Sequence, residues 1–376
     1  MNEMLQAIAL ATPLAVLLAR HYRKTARKLP ELVYQFNPQN QQRLQKLPRL
    51  QRPFRPTPWM FNTHLQLLAL GLKKGLAPAL QYDLSERLTM ADGGTTALHW
   101  LGLDLGEHVP TLLILHTITG SPHSMRSTVR DLQQLTGWRV VLCQRRGHGD
   151  LPLTSPKINT MGDTGDLREQ IQSIQQRFPD SPLYAMGISA GTGLLVRYLG
   201  EQGADTPIRA AMAYCPGYDI NVAFARSRPF YSRMMAKKLI RQFVTRNQHA
   251  FSHLPSYHAC SNARDLHELH QHLYAIAGYA SRDAFFADLN PVNAMRNLAI
   301  PLLILNAADD PVCHIQNAYE HREVIGQMPE VILAITARGS HCAYFEGWRA
   351  QPWAHHLCAE FLKMEHARQM INKATA

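Results

Sequence analysis

A mostly parallel central sheet flanked by helices, with a helical cap inserted late in the chain, is the fold class this sequence predicts. Three observations point to it. Short apolar runs alternate with helix-period patterns through most of the 376 residues, as strands and crossover helices do in α/β proteins. That alternation lapses between Tyr214 and Pro301, a stretch too long for a plain connection. Finally, Gly187-Ile188-Ser189-Ala190-Gly191 stands where an apolar run gives way to a helical pattern.

The strand-like runs are residues 111–116 (TLLILH), 139–144 (RVVLCQ), 183–187, 210–214, 301–306 (PLLILN) and 331–336 (VILAIT). Between the second and third, Leu167, Ile171, Ile174 and Phe178 recur at a 4-3-4 spacing, the single apolar stripe of a surface helix. The cap, at about residues 219–290, is expected to follow the sixth strand. Its Phe224, Phe230, Tyr231, Met234, Met235 and Phe243 either line an acyl pocket or pack the cap itself.

With 46% hydrophobic residues the chain has a large core to bury, which excludes a disordered tail or a small disulfide scaffold. The six cysteines show no CxxC pair and several lie in apolar runs, as buried thiols do in a reducing compartment. The net charge of +11 is unevenly spread. Residues 1–57 hold ten Lys/Arg against Glu3 and Glu31, residues 226–246 hold seven with no acid, and the remainder is mildly acidic. Two basic segments on an ordinary body suit an anionic membrane surface better than a nucleic acid.

Residues 4–19 carry no charge and are followed at once by Arg20-His21-Tyr22-Arg23-Lys24. As a helix the run spans roughly 24 Å, short of a hydrocarbon core of about 30 Å. A cleaved signal, a transit peptide and a helix packed on its own domain remain open. The expected reading of residues 1–28 is a membrane anchor, spanning or interfacial, with its basic flank and the catalytic domain on the cytoplasmic side. Residues 29–58, rich in Gln, Pro and Arg, read as a linker to a folded domain over 59–376.

The chemistry centres on Ser189. A serine hydroxyl needs a strained, exposed position and a base within reach, and a glycine on each side of the G-x-S-x-G lets a strand turn sharply into a helix, with Gly193 extending that room. The partners should follow in the order Ser, acid, His. Asp309-Asp310-Pro311 ends the PLLILN run and His341 follows the VILAIT run, both at carboxyl ends of strands, where sites gather in open α/β sheets. Oxyanion donors are expected at the backbone of Ala190 and, from the loop after TLLILH, at Ile118. Rival sites are weaker. His267, His270 and His272 lack the i+4 zincin spacing and read as a solvated helix face. The His341–Glu346 pair has the gap of an acyltransferase signature but ends in Glu, and Gly-rich phosphate loops are absent.

The sequence resembles the α/β-hydrolases, in the branch called the fourth AB-hydrolase family, which includes membrane-anchored abhydrolase-domain phospholipases and plant embryogenesis-associated proteins. The resemblance runs through Pro58-Trp59, Asn62-Thr63-His64-Leu65-Gln66, Asp92-Gly93-Gly94, Thr119-Gly120-Ser121-Pro122-His123-Ser124, Arg146-Gly147-His148-Gly149, Gly162-Asp163-Thr164, Asp166-Leu167-Arg168, Arg197 to Glu201 and Asn306 to Pro311. It implies an α/β-hydrolase fold, ester hydrolysis on acyl lipids or short- to medium-chain esters, and Asp310 as the acid. The chain departs from the family at Thr117, usually Gly, and at Ala190 and Thr192, more commonly Leu and Gly. The expected protein is thus a cofactor-free, metal-free serine hydrolase with Ser189, His341 and Asp310. Acyl transfer, thioester or peptide cleavage on the same triad, and a non-catalytic lipid-binding scaffold, are the alternatives.

Overall fold

The computed structural model describes residues 2–375 apart from Thr160, with the side chains of residues 13, 15–159 and 161–371. Among these, nine strands form one sheet: β1 (Glu31–Tyr34), β2 (Leu84–Thr89), β3 (Thr95–Leu101), β4 (Thr111–Leu115), β5 (Arg139–Gln144), β6 (Leu183–Ile188), β7 (Ile208–Tyr214), β8 (Leu302–Ala307) and β9 (Val331–Thr336). Their order is β1-β9-β8-β7-β6-β4-β5-β3-β2. The six strands from β9 to β5 are mutually parallel, while β1 joins one edge antiparallel and β3 and β2 the other.

Side chains alternate across each strand, so each apolar run feeds two cores. In β4, Leu113 and Leu115 pack with Leu167, Ile171 and Leu194 on one face. Leu112 and Ile114 pack with Val129, Leu132, Leu357 and Phe361 on the other. The helices Gly165–Arg177 and Ala190–Gln202 thus cover one face, and Pro122–Thr136 with Trp353–Thr375 the other. Because β5 and β6 lie on opposite sides of β4, the loops leaving β4 and β6 flank a switch point, where an open sheet leaves a crevice.

Three sequence expectations change. The cap follows the seventh strand in chain order, β7, because β1 lies within residues 29–58 and the hairpin β2–β3 precedes the apolar runs. The expected linker is part of the domain. β1 pairs with β9, Leu47, Leu50 and Phe54 are buried, and Arg43 is buried too. Arg43 donates to Glu365 at 2.9 Å and pairs with Glu330; its carboxylate partners lie at the far end of the chain, so a local reading sees only an unpaired cation. The expected anchor falls on helix Asn2–Thr25, which contains Pro13. Most side chains of residues 4–19 lie outside the described residues; Val16, Leu17 and Leu18 are exposed. Among the described residues no helix is long and apolar enough to cross a membrane.

Candidate active site

Ser189 sits between β6 and helix Ala190–Gln202 with φ 52° and ψ −117°, a conformation that side chains rarely adopt and that persists only when the surroundings impose it. Its N–H donates to the Tyr214 carbonyl at 2.8 Å. The flanking glycines are obligatory. A Cβ on Gly187 would lie 2.7 Å from the Gly191 oxygen, and one on Gly191 2.6 Å from the Leu115 carbonyl carbon. Gly193 is different: a Cβ there would meet the Met161 oxygen at 3.4 Å, an ordinary contact, so the turn does not need it.

His341 leaves the loop after β9 and approaches Ser189, its Nε2 lying 2.8 Å from the hydroxyl oxygen. Its Nδ1 is 2.7 Å from Asp310 Oδ2. The carboxylate only accepts, so Nδ1 carries a proton, and in the neutral ring Nε2 is left to accept from the serine. Asp310 is itself fixed, because its Oδ1 accepts the N–H groups of Val312 and Cys313 at 2.8 and 2.9 Å. Burial disfavours a charged His341, but the charge and hydrogen bond of Asp310 outweigh it and push the imidazole up to about 9. Asp309 turns away. Its two oxygens accept from Thr63 Oγ1 at 2.6 Å and from the Ser340 N–H at 2.8 Å, so it pins the residue before His341.

The loop after β4 carries Ile118, which lines a cleft with Ser189 and Ala190. Its backbone is held from behind by Arg145, whose guanidinium donates to the carbonyls of His116 and Thr117 at 3.2 and 2.8 Å. His148 Nε2 lies 3.1 Å from the Ile118 carbonyl. Burial pushes Arg145 down to about 9, leaving it charged at neutral pH. Burial, and then Arg145, push His148 down to about 3, leaving it uncharged. In a trans peptide the carbonyl of Thr117 and the N–H of Ile118 point in opposite directions. Anchoring the first on Arg145 therefore turns the second away from Arg145.

Arg145 escaped the sequence reading, although its place, a cation directly after an apolar strand, was a signal. Its neighbour Arg146 donates to both Asp92 and Asp166, so those shared motif residues cross-brace the loop after β5.

The cleft at Ser189 is apolar, with Ile220, Phe224 and Met235 of the cap facing Ile118 and Ala190. Its free volume is about 20 Å³, room for about one water and not for an acyl chain. Of the cap residues singled out in the sequence, Phe243 is buried in the cap core, while Phe230 and Met234 are exposed. Tyr231 packs against Val312 and Cys313. A second, open cavity of about 470 Å³ lies beyond Cys342, between Thr117, Ile188 and Tyr214 on one side and Lys73 and Lys74 on the other.

The rival readings dissolve in the same geometry. Glu346 is drawn off to Arg49 at 2.6 Å. His270 is buried, with Nδ1 donating to the Leu266 carbonyl at 2.8 Å, so it is a core residue rather than part of a solvated face. Among the described residues, potential metal ligands converge only around His341, with Cys215 and Cys342 or with Asp310 and Cys313. Both ring nitrogens of His341 already face Ser189 and Asp310.

A family model described as serine aminopeptidase, S33, matches residues 106–347. Phospholipase ABHD3 of Mus musculus is 27% identical over 97% of this chain and 92% of its own. The medium-chain fatty acid ethyl ester synthase/esterase 2 of Saccharomyces cerevisiae is 28% identical over 67% of this chain and 62% of its own. Among solved structures, the esterase of Pyrobaculum calidifontis superposes with a TM-score of 0.52 at 14% identity, covering 80% of this chain and 90% of that one. Sheet order, the strained residue at the β6 turn and these matches agree: the chain belongs to the α/β-hydrolases, in their abhydrolase-domain family, and is a hydrolase of that class.

Proposed function

We propose that the protein is a serine hydrolase that cleaves carboxylic esters of acyl lipids through an acyl-enzyme. The observation that carries this reading is the continuous relay Asp310–His341–Ser189, with links of 2.7 and 2.8 Å. Ser189 Oγ attacks the ester carbonyl while its proton passes to His341 Nε2, and Asp310 supports the imidazolium that forms. The negative oxygen of the tetrahedral intermediate is met by the N–H groups of Ile118 and Ala190, preorganised by Arg145 and by the start of helix Ala190–Gln202. Collapse expels the alcohol, which takes the proton from His341. Water then repeats the sequence in reverse to release the fatty acid and restore Ser189.

An acyl substrate is favoured by the apolar cleft beside Ser189 and by relatives whose names specify phospholipase and medium-chain ester activity. Because the free volume beside Ser189 is too small for an acyl chain, the cap has to move for one to enter. Peripheral attachment of residues 1–28 to a bilayer interface is part of the same reading, supported by exposed Val16, Leu17 and Leu18 before the basic flank.

The test is labelling by a fluorophosphonate together with a profile of acyl-lipid, soluble-ester and peptide substrates. Wild type should be labelled once and should prefer medium-chain glycerolipid or phospholipid esters. Ser189→Ala should lose both labelling and turnover with an unchanged melting curve. Equal labelling of the variant, or a preference for peptides, would sink the reading.

A further inference from the structure

Helix Thr63–Leu76 is apolar on two faces, and only one has a partner. Thr63 and Gln66 are buried, Leu67 packs with Tyr231 and Met235 of the cap, and Ala69 and Leu70 pack against Met60, Ala343 and Phe345. The opposite stripe is Leu65, Leu68, Leu72 and Leu76, 48 to 84% exposed. Their spacing of three, four and four residues makes one continuous band. Exposed apolar side chains scattered singly are ordinary, but four leucines in one continuous stripe are not, so this band asks for an apolar medium.

The band continues onto the cap. His64 Nδ1 lies 2.6 Å from the Tyr231 hydroxyl and the two rings stack, which ties the helix to the cap helix Pro229–Leu239. That second helix turns Phe230 and Met234 outward, 70 and 53% exposed. At the base of the first, Trp59 Nε1 donates to the Trp348 carbonyl at 3.0 Å, and both indoles are exposed. Tyr22, at the foot of the N-terminal helix, packs edge-on against Phe61. The two helices also bracket the site: Thr63 holds Asp309, and Lys238 Nζ donates to Thr119 in the loop beside Ile118.

The segments that carry this band are basic, although Arg43, Arg49, Arg226 and Arg264 in them pair with carboxylates from outside. No Asp or Glu occurs in residues 32–82 or 220–264, which hold seven and eight Lys/Arg. Arg233, Lys237, Lys238 and Arg241 are exposed beside Phe230 and Met234, and among the described residues none forms an ion pair with a carboxylate. Exposed apolar side chains on two joined helices, with cations on the second and two exposed tryptophans at the base of the first, match the two layers of an anionic bilayer surface, acyl boundary and headgroups.

We propose that the band Leu65-Leu68-Leu72-Leu76 with Phe230 and Met234 docks the mouth of the active site on an anionic phospholipid surface. The folded body then holds the bilayer itself, independently of the N-terminal segment, and a lipid ester enters between helix Thr63–Leu76 and the cap without crossing water. The docking rests on the ester-hydrolase reading only for this last consequence.

The test is flotation of the full chain with vesicles of phosphatidylcholine, with and without phosphatidylglycerol, beside turnover of a dissolved short-chain ester. Wild type should float with the mixed vesicles, less with phosphatidylcholine alone, and release with salt. The triple variant Leu65→Gln, Leu68→Gln, Leu72→Gln should bind mixed vesicles about tenfold more weakly or worse while keeping dissolved-ester turnover. Flotation of that variant at the wild-type level, or no flotation of the wild type, would overturn the docking.

Should the triple variant lose dissolved-ester turnover through misfolding, Lys237→Glu with Arg241→Glu decides. It must weaken binding to the phosphatidylglycerol vesicles and leave binding to phosphatidylcholine unchanged; undiminished phosphatidylglycerol binding would overturn the proposal. A wild type that floats but turns over no dissolved ester would instead count against the hydrolase reading.

Discussion

Asp309 and Asp310 are neighbours with the same functional group and different work, and substituting each separates them. Asp310→Asn would leave His341 Nδ1 without its carboxylate and favour the wrong tautomer; the comparable change in serine proteases costs about 10⁴ in kcat. Asp309→Asn keeps an oxygen for the Ser340 N–H and a polar partner for Thr63, so the expected loss is about 1 kcal/mol of stability with kcat nearly retained. Steady-state rates on a chromogenic ester and melting curves for both variants check this, and the reverse order would move the acid to Asp309. The pH profile adds a second reading. The base must be neutral, and Asp310 holds His341 up to about 9, so kcat/KM should rise with pH through an apparent pKa well above the ordinary 6.5 of histidine. Removing the Asp310 charge lowers that pKa, so the acid limb of Asp310→Asn should shift to lower pH. An unmoved limb would mean that another group titrates.

The helix that starts at Ser189 tests how tightly the turn is built. Gly191→Ala pushes a methyl into the Leu115 carbonyl and should cost about 3 kcal/mol, whereas Gly193→Ala meets only ordinary contact and should stabilise by about 0.5 kcal/mol through the unfolded chain. Urea midpoints of the two variants give the comparison. The same elements show what a sequence discloses. All six parallel strands announce themselves as apolar runs, because both of their faces are buried. The antiparallel β1 and β2 do not: ELVY has one exposed and three half-covered residues, and LSERLT alternates half-covered with exposed. Ser189, His341 and the two aspartates were legible from order along the chain. The roles of Arg145 and Thr63 were not: a cation directly after an apolar strand marks Arg145 as a residue to watch, but holding a loop from behind or bridging to a neighbouring turn depends on partners distant in the chain. Arg145→Lys should loosen the loop that carries Ile118, lowering kcat by about tenfold or more with little change in KM, as steady-state kinetics would show.

At the scale of the molecule, a narrow cleft beside a well-packed cap means that access and stability draw on the same contacts. Phe224 is 6% exposed and sits in both the cap core and the cleft. Phe224→Ala should therefore cost about 3 kcal/mol or more while raising turnover of longer acyl esters relative to short ones; a fall in both together would show that Phe224 holds substrate rather than blocking it. The sheet as a whole has two unlike margins. β2 ends it with Glu86 and Arg87 on a half-exposed strand, charges that discourage further pairing. At the other margin the VILAIT strand, apolar but for Thr336, is covered by just four residues, Glu31–Tyr34. Those residues come from the part of the chain most easily discarded when a soluble fragment is prepared. Cutting before residue 29 spares the cover; cutting a few residues later bares a flat hydrophobic edge that can template pairing with another molecule. The N-terminal strand therefore acts as a guard against self-association, and the boundary between a monodisperse fragment and an aggregating one should fall inside it.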